Sequence, residues 1–285
     1  MANVFSRSWE ITKITFDVIK HDKELLIFPV LSFVFSALFI GLMVVPQIMS
    51  YILEGTVSEN FQMLSYVIVF LTYLGIAFIA TFFNVCTVYT VKTRFSGGNA
   101  TFSESIKFGF SKIHLIFYWS LLAAIVGLIL RILDNAAKQS KSQGAQIGLS
   151  ISRVILGAAW GIATIFVVPG MVYYNLGPIE AIKKSVSTLK KTWGESLVKS
   201  LGLGLVQMAF ILAGIIVFGV AIYGSLFANP IVTLILVIAG ILYVLGVALI
   251  FGVASMVFDT ALFVYADSGN IPTGYSRELL HNAFR

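Results

Sequence analysis

Long apolar runs alternate with short polar segments along the chain. A helix needs about 20 apolar residues to cross a hydrocarbon layer roughly 30 Å thick. Pro169 is predicted to kink the fourth run, and 46–63 and 134–146 are predicted to be loops. The runs predict an all-α integral membrane protein with six transmembrane helices, at 25–45, 64–91, 114–133, 147–176, 196–224 and 231–265.

Segment 177–193 has a different pattern, because its apolar residues recur at steps of three and four. This spacing places them on one face of a helix, and Pro178 suits the first helical turn. The apolar stripe consists of Ile179, Ile182, Val186, Leu189 and Trp193. A basic amphipathic helix between spans is predicted to lie at the membrane surface, with its apolar face toward acyl chains or neighbouring helices.

Two other segments, 10–20 and 104–114, resemble 180–190. All three read Glu, two residues, Lys, any residue, a small residue, an apolar residue, Asp or Ser, any residue, Ile or Leu, and a basic residue. Each copy precedes a pair of spans, and Thr101 with Glu104 predicts a capping box for the middle copy. We therefore predict one transmembrane domain over 1–285, in which each repeat is an interfacial amphipathic helix plus a transmembrane hairpin. The predicted pseudo-repeats are 1–91, 92–176 and 177–266, followed by a short cytoplasmic tail at 267–285.

Composition and charge agree with this fold class. Charged residues make up 11% of the chain and its mean hydropathy is +0.95, whereas a soluble domain carries about 25% charged residues. Of the 19 Lys and Arg residues, all but Arg131, Lys138, Lys141 and Arg153 lie on the side that holds both termini. This bias predicts a multi-pass cell-membrane protein with both termini cytoplasmic. Topology and anionic lipid headgroups explain the net charge of +6, so we expect no nucleic-acid partner.

The sequence contains no recognisable catalytic or metal-ligating pattern, so we expect no enzymatic activity, no cofactor and no metal. Its histidines, His21, His114 and His281, are dispersed and lack the spacing of metal ligands. The single cysteine, Cys86, lies inside an apolar run and excludes an internal disulfide. A bilayer enzyme acting through Asp259 and His114 is the alternative.

Three sets of residues are candidates for functional or packing contacts. Polar residues inside spans line pores or join helices by hydrogen bonds, and the candidates are Thr81, Asn84, Thr87, Gln207 and Asp259. Asp259 has a structural alternative at the cytoplasmic exit of its span, paired with a lysine. The predicted contacts with lipid headgroups or a partner are Lys13, Lys107, Lys183, Lys184, Lys190 and Lys191. Close helix packing, within or between subunits, is predicted at Gly157, Gly161, Ala248 and Gly252.

Short motifs carry a resemblance to known families. Ser8-Trp9-Glu10 with Lys13, and Asp22-Lys23-Glu24-Leu25-Leu26-Ile27-Phe28-Pro29, resemble an uncharacterised family of prokaryotic integral membrane proteins known only as a domain of unknown function. The pattern Pro178, Ala181, Ser185, Leu189, Trp193 is similar to a motif in other prokaryotic multi-span domains, including the membrane part of some glycerophosphodiesterases. The resemblance implies a polytopic membrane fold, and it implies no activity and no catalytic residue.

Two functions from different classes remain. We place first a passive channel or carrier for a small solute or ion, lined by Thr81, Asn84 and Gln207, with its path between hairpins or between protomers of a homo-oligomer. The alternative is a scaffold or accessory subunit whose basic helices bind anionic lipid or a partner membrane protein. The scarcity of charge inside the spans argues against an ion-coupled transporter.

Overall fold

The computed structural model describes residues 9, 12, 13, 15–17, 19, 20, 23–54, 59–193, 202–226, 229–277 and 280. A 3-10 turn at Lys23–Leu26 precedes the first α-helix. The described α-helices are α1 (Ile27–Glu54), α2 (Glu59–Phe95), α3 (Phe102–Ser111), α4 (Ile113–Gln139), α5 (Gln143–Thr164), α6 (Val167–Tyr174), α7 (Pro178–Trp193), α8 (Gly202–Ser225) and α9 (Pro230–Ser268). Among these residues the chain forms helices and no strands.

The predicted all-α fold with six spans is confirmed. By length and apolar composition, six helical stretches can cross a membrane: Glu24–Pro46, Val67–Phe95, Ile113–Gln139, Gln143–Tyr174, Val206–Ser225 and Pro230–Ser268. Helices that are consecutive in the chain pack as hairpins, α1 on α2, α4 on α5 and α8 on α9. Helix α2 also packs on α4, α6 and α9, so it joins the three hairpins. The threefold repeat itself stays a prediction.

Both segments that were predicted as loops are largely helical. Helix α1 continues through Pro46 to Glu54, although a proline inside a helix removes a backbone donor and crowds the preceding turn. Near the turn between α4 and α5, Asp134 lies 2.6 Å from Lys138 Nζ and 3.5 Å from Arg153 Nε. The first pair is spaced i,i+4 and supports the last turns of α4. A polar composition therefore marks exposed helix ends here and not a long loop.

The kink predicted at Pro169 is a break between α5 and α6. Residues 165 and 166 form a turn, and Ile165 is the residue whose carbonyl would meet the ring of Pro169 in a regular helix. The backbone N–H of Phe166 donates to Ser185 Oγ of α7 at 3.2 Å. The break is thus supported by a side chain from another helix.

Described residues near the two termini pack together, although the segment 267–285 was predicted to be a short cytoplasmic tail. Tyr275 and Leu280 are buried in one apolar cluster with Ile19 and Leu25. The hydroxyls of Tyr275 and Thr15 share a hydrogen bond of 3.1 Å, and burial raises the pKa of Tyr275. The described part of the C-terminal segment therefore packs against the bundle.

Close helix packing within the chain occurs at glycines other than the predicted ones. A Cβ built on Gly161 or Gly252 meets nothing within 4 Å, one on Gly157 meets only Leu130 at 3.9 Å, and Ala248 is exposed. These residues therefore do not mediate tight contacts inside the described chain, and packing between copies of the chain stays a prediction. Close approaches are found at Gly75 on Phe39, Gly109 on Cys86 and Gly214 on Tyr243.

Candidate functional site at the connector end

Helices α2, α6 and α9 end together at one end of the bundle, which we call the connector end because α3 and α7 lie there. Just beyond each helix stands a residue with positive φ: Gly97 (80°), Asn175 (55°) and Gly269 (73°). A left-handed residue stops a helix and turns the chain away from its axis. The chain therefore turns at Gly97 from α2 toward α3, at Asn175 from α6 toward α7, and at Gly269 from α9 into the C-terminal segment.

Helix α7 packs on the spans through its small residues. Ala181 and Ser185 are fully buried, whereas Ile179 is 56% exposed. A Cβ built on Gly170 of α6 would lie 3.9 Å from Ala181 Cα, so the two helices approach closely there. Of the predicted apolar stripe only Leu189 is buried, and the side chain of Trp193 lies outside the described residues. Ile179 is the exposed residue of the described stripe, whereas Ile182 packs against a buried apolar cluster, so the stripe contacts neighbouring helices and also presents one apolar side chain to the surroundings.

Helix α3 also packs on the spans through small residues. Ser105 and Gly109 are buried, and Ser105 Oγ lies 2.7 Å from Thr90 Oγ1 of α2. The predicted capping box is confirmed, since Glu104 N donates to Thr101 Oγ1 at 3.3 Å and Thr101 N donates to Glu104 Oε2 at 2.8 Å. The N–H and then the hydroxyl of Thr101 hold the pKa of Glu104 below its usual range.

A corresponding contact begins α7. The backbone N–H of Gly177 donates to Glu180 Oε2 at 3.2 Å. Glu104 and Glu180 are the first residues of two of the three aligned segments, and both carboxylates satisfy a free backbone donor at a helix start. The third aligned glutamate, Glu10, lies outside the described residues.

The lysines predicted to contact headgroups fall into two groups. Lys13, Lys107, Lys183, Lys190 and Lys191 are exposed. Lys184 differs, because its side chain is only 29% exposed and its ammonium group pairs with Asp267 of α9. While this pair is intact, Lys184 is not free to bind a headgroup.

Asp267 was not predicted as a site residue, and it anchors the polar contacts at the connector end. The hydroxyl of Tyr174 donates to the second oxygen of its carboxylate, and Lys184 Nζ lies 4.9 Å from the ring centroid of Tyr174. Lys92 Nζ donates to the carbonyl oxygen of Val172 at 3.3 Å. The only sequence signal for Asp267 was its position two residues before Gly269 at a helix end.

A cavity of about 290 Å³ lies between the ends of α2, α6 and α9. Aromatic rings form much of its wall, and Asp267 is the charged residue in it. Its lining consists of Phe95, Ser96, Tyr173, Tyr174, Phe263, Val264, Asp267, Ser268, Asn270, Ile271 and Pro272.

The predicted pore candidates lie on three helices, and their pore-lining role stays a prediction. Thr81 and Thr87 of α2 are buried, and Asn84 of α2, Gln207 of α8 and Asp259 of α9 are partly buried. Thr87 Oγ1 donates to the carbonyl oxygen of its own helix at Phe83, 2.9 Å away, and Asp259 accepts from Ser255 at 3.4 Å. The alternative for Asp259 was a pairing with a lysine. Among the described ion pairs, the α9 aspartate that pairs with a lysine is Asp267.

Six apolar spans in packed hairpins define a multi-pass all-α membrane protein. A model described as a family of unknown function (DUF6159) matches residues 63–274, so the chain belongs to that family. The match includes α3, α7 and the whole cavity lining, and the N-terminal motifs that carried the resemblance lie outside it. The similarity to glycerophosphodiesterases is not supported by this match. A search of curated proteins found no match to the chain.

Proposed function

We propose that the protein is a non-enzymatic membrane scaffold or accessory subunit whose connecting helices α3 and α7 bind anionic lipid headgroups. One observation carries the proposal: both helices bury a face of small residues and leave lysines exposed. Lys107 follows buried Ser105 by two residues, and Lys183 follows buried Ala181 by two residues. The two lysines therefore hold corresponding positions relative to the buried face of each helix.

The geometry around Lys183 suits a membrane surface. Lys183 and Lys190 are two helical turns apart, and both are exposed on the same face of α7 as Ile179. An exposed apolar flank bordered by lysines is typical of helices that lie between acyl chains and phosphates. Each such lysine contributes about 1 kcal/mol near an anionic surface. The excess of Lys and Arg on the side of both termini supports a cytoplasmic position for this surface.

The test compares lipid binding by matched lysine variants. We expect the double variant Lys183→Gln/Lys190→Gln to weaken retention of phosphatidylglycerol about 30-fold, from two lysines at about 1 kcal/mol each. Each variant is placed in nanodiscs with increasing amounts of phosphatidylglycerol, and native mass spectrometry then measures the lipid that stays bound to the protein. The control is Lys138→Gln/Lys141→Gln, which removes two exposed lysines near the turn between α4 and α5. Equal lipid retention by both double variants would contradict lipid binding at α7.

Native mass spectrometry of a second sample distinguishes an accessory subunit from a scaffold that binds only lipid. Protein extracted gently from its own membrane would carry a stoichiometric foreign subunit if it is an accessory subunit. If that subunit is lost in Lys183→Gln/Lys190→Gln and kept in the control, the basic face of α7 binds a protein. If only anionic lipid is lost, the face binds the membrane.

A passive channel or carrier is the second candidate, favoured by the partly buried amides Asn84 and Gln207 inside spans. Phe82, Phe83 and Trp119 are buried in one apolar cluster, so a path through that cluster requires these rings to move. Asn84→Leu in liposomes tests it, with the exposed Asn99→Leu as control. Altered solute flux at unchanged protein yield for Asn84→Leu alone would support transport, and equal flux for both would count against it.

A further inference from the structure

We propose that the cavity at the connector end binds a small organic cation through an ammonium group. The proposal is independent of lipid binding by the exposed lysines, because the cavity lies between the ends of the spans. Its volume of about 290 Å³ is close to the lower limit of about 300 Å³ for ligand pockets. The cavity therefore suits a small solute or a single headgroup.

Aromatic rings make the wall of the cavity attractive to a cation. Phe95, Tyr173, Tyr174 and Phe263 line it from three different helices. The ring centroid of Phe263 lies 5.7 Å from that of Tyr173 and 6.1 Å from that of Tyr174. The face of an aromatic ring carries partial negative charge, and several rings around one space bind ammonium groups well.

The backbone and one carboxylate add negative charge at the same place. Helices α2, α6 and α9 all present their C-terminal ends to the cavity, and the C-terminus of a helix carries a partial negative charge. The carboxylate of Asp267 lies in the lining. Ser96, Ser268 and Asn270 complete the polar part of the wall with uncharged groups.

The ammonium groups of two lysines of the chain already contact these aromatic rings and oxygen atoms. Lys184 pairs with Asp267 and lies 4.9 Å from the ring centroid of Tyr174. Lys92 lies 4.8 Å from the ring centroid of Tyr173 and donates to a carbonyl of the last turns of α6. Lys184 is partly exposed on α7 and does not line the cavity, so a ligand ammonium inside the cavity competes with it for Asp267 and Tyr174.

The test begins with choline and its neutral isostere 3,3-dimethylbutan-1-ol on the full-length protein in detergent. Isothermal titration calorimetry measures both affinities. We expect choline to bind at least tenfold more tightly, because the two molecules have the same shape and only choline carries charge. Equal binding of the two, or no saturable binding of choline, would overturn the proposal.

Two substitutions test the geometry, and they move the affinity in opposite directions. Asp267→Asn removes the negative charge with little change of shape and should weaken choline binding about tenfold. Lys184→Met removes the internal competitor and should tighten it several-fold. Asp134→Asn, beside the turn between α4 and α5, is the control and should change neither. Unchanged or weaker binding in Lys184→Met would overturn the proposal, because Lys184 would then not compete with the ligand for Asp267 and Tyr174.

The cation has two sources, a soluble molecule or a lipid headgroup, and nanodiscs distinguish them. In nanodiscs of phosphatidylglycerol alone, the cavity should remain open to added choline. Adding phosphatidylcholine should abolish choline binding if lipid headgroups occupy the cavity, and should leave it unchanged if the ligand is soluble. Loss of choline binding in phosphatidylglycerol nanodiscs as well would contradict a cation site in the membrane-embedded protein.

Discussion

Lys184 of α7 pairs with Asp267 of α9, and the hydroxyl of Tyr174 at the end of α6 donates to the same carboxylate. The three residues belong to a connecting helix and to the last spans of two different hairpins. Asp267 is only 10% exposed, so water screens its contacts weakly. These contacts fix the position of α7 relative to the ends of the spans.

Lys184→Met should lower the free energy of unfolding by about 1 to 3 kcal/mol, because it leaves the Asp267 carboxylate poorly compensated. Lys183→Met removes the exposed neighbouring lysine and should change it by less than about 0.5 kcal/mol. Thermal unfolding in detergent compares the two. Equal unfolding temperatures would show that the ion pair does not stabilise α7.

Ser185→Ala should destabilise the protein by about 1 to 3 kcal/mol, because the buried N–H of Phe166 loses its hydrogen bond to the Ser185 hydroxyl at the break between α5 and α6. Ser187→Ala is the matched control, since Ser187 is exposed on the same helix and its hydroxyl donates to the carbonyl of Lys184 within that helix. Hydrogen exchange at Phe166 reports the effect locally. Unchanged protection of that amide in Ser185→Ala would contradict this assignment.

Gly109→Ala should destabilise the protein by about 1 to 3 kcal/mol, because the new Cβ would lie 2.8 Å from Cys86 Sγ. Gly161→Ala meets open space and should be neutral or slightly stabilising, since alanine is the better helix former. Unfolding temperatures measure both. A larger loss of stability in Gly161→Ala than in Gly109→Ala would contradict this assignment. It would mean that Gly161 packs against another chain and that α3 shifts to accommodate the added methyl group.

The carboxyl of Glu104 should titrate below the usual glutamate pKa, because the N–H and hydroxyl of Thr101 donate to its charged form. A depressed pKa in the folded state means that the cap stabilises α3 above the unfolded pKa. This contribution is lost as the pH falls through the folded pKa. Carboxyl carbon NMR measures the titration.

Thr101→Val tests the cause of that shift. The variant removes the hydroxyl and keeps the backbone donor, so the pKa of Glu104 should rise only part of the way to its usual value. No change in the Glu104 pKa would show that the hydroxyl has no part in the cap.

The sequence alone determined the features that depend on neighbouring residues. Length and apolar composition predicted the spans, spacing predicted α7, and Thr101 with Glu104 predicted the start of α3. Each of these follows from interactions within a few residues, which a single sequence contains in full. The helix break near Pro169 belongs to the same group, because a proline acts on its own preceding turn.

Only the tertiary structure decided which of several equivalent residues make contacts. Lys183 and Lys184 are adjacent and chemically identical, and the rotation of α7 about buried Ala181 turns one outward and the other to Asp267. Likewise Gly109 packs tightly and Gly161 does not, although both are helical glycines. Burial of the C-terminal segment against the N-terminal residues was also invisible in the sequence. Such contacts join residues far apart in the chain, and local periodicity carries no information on how helices rotate and meet.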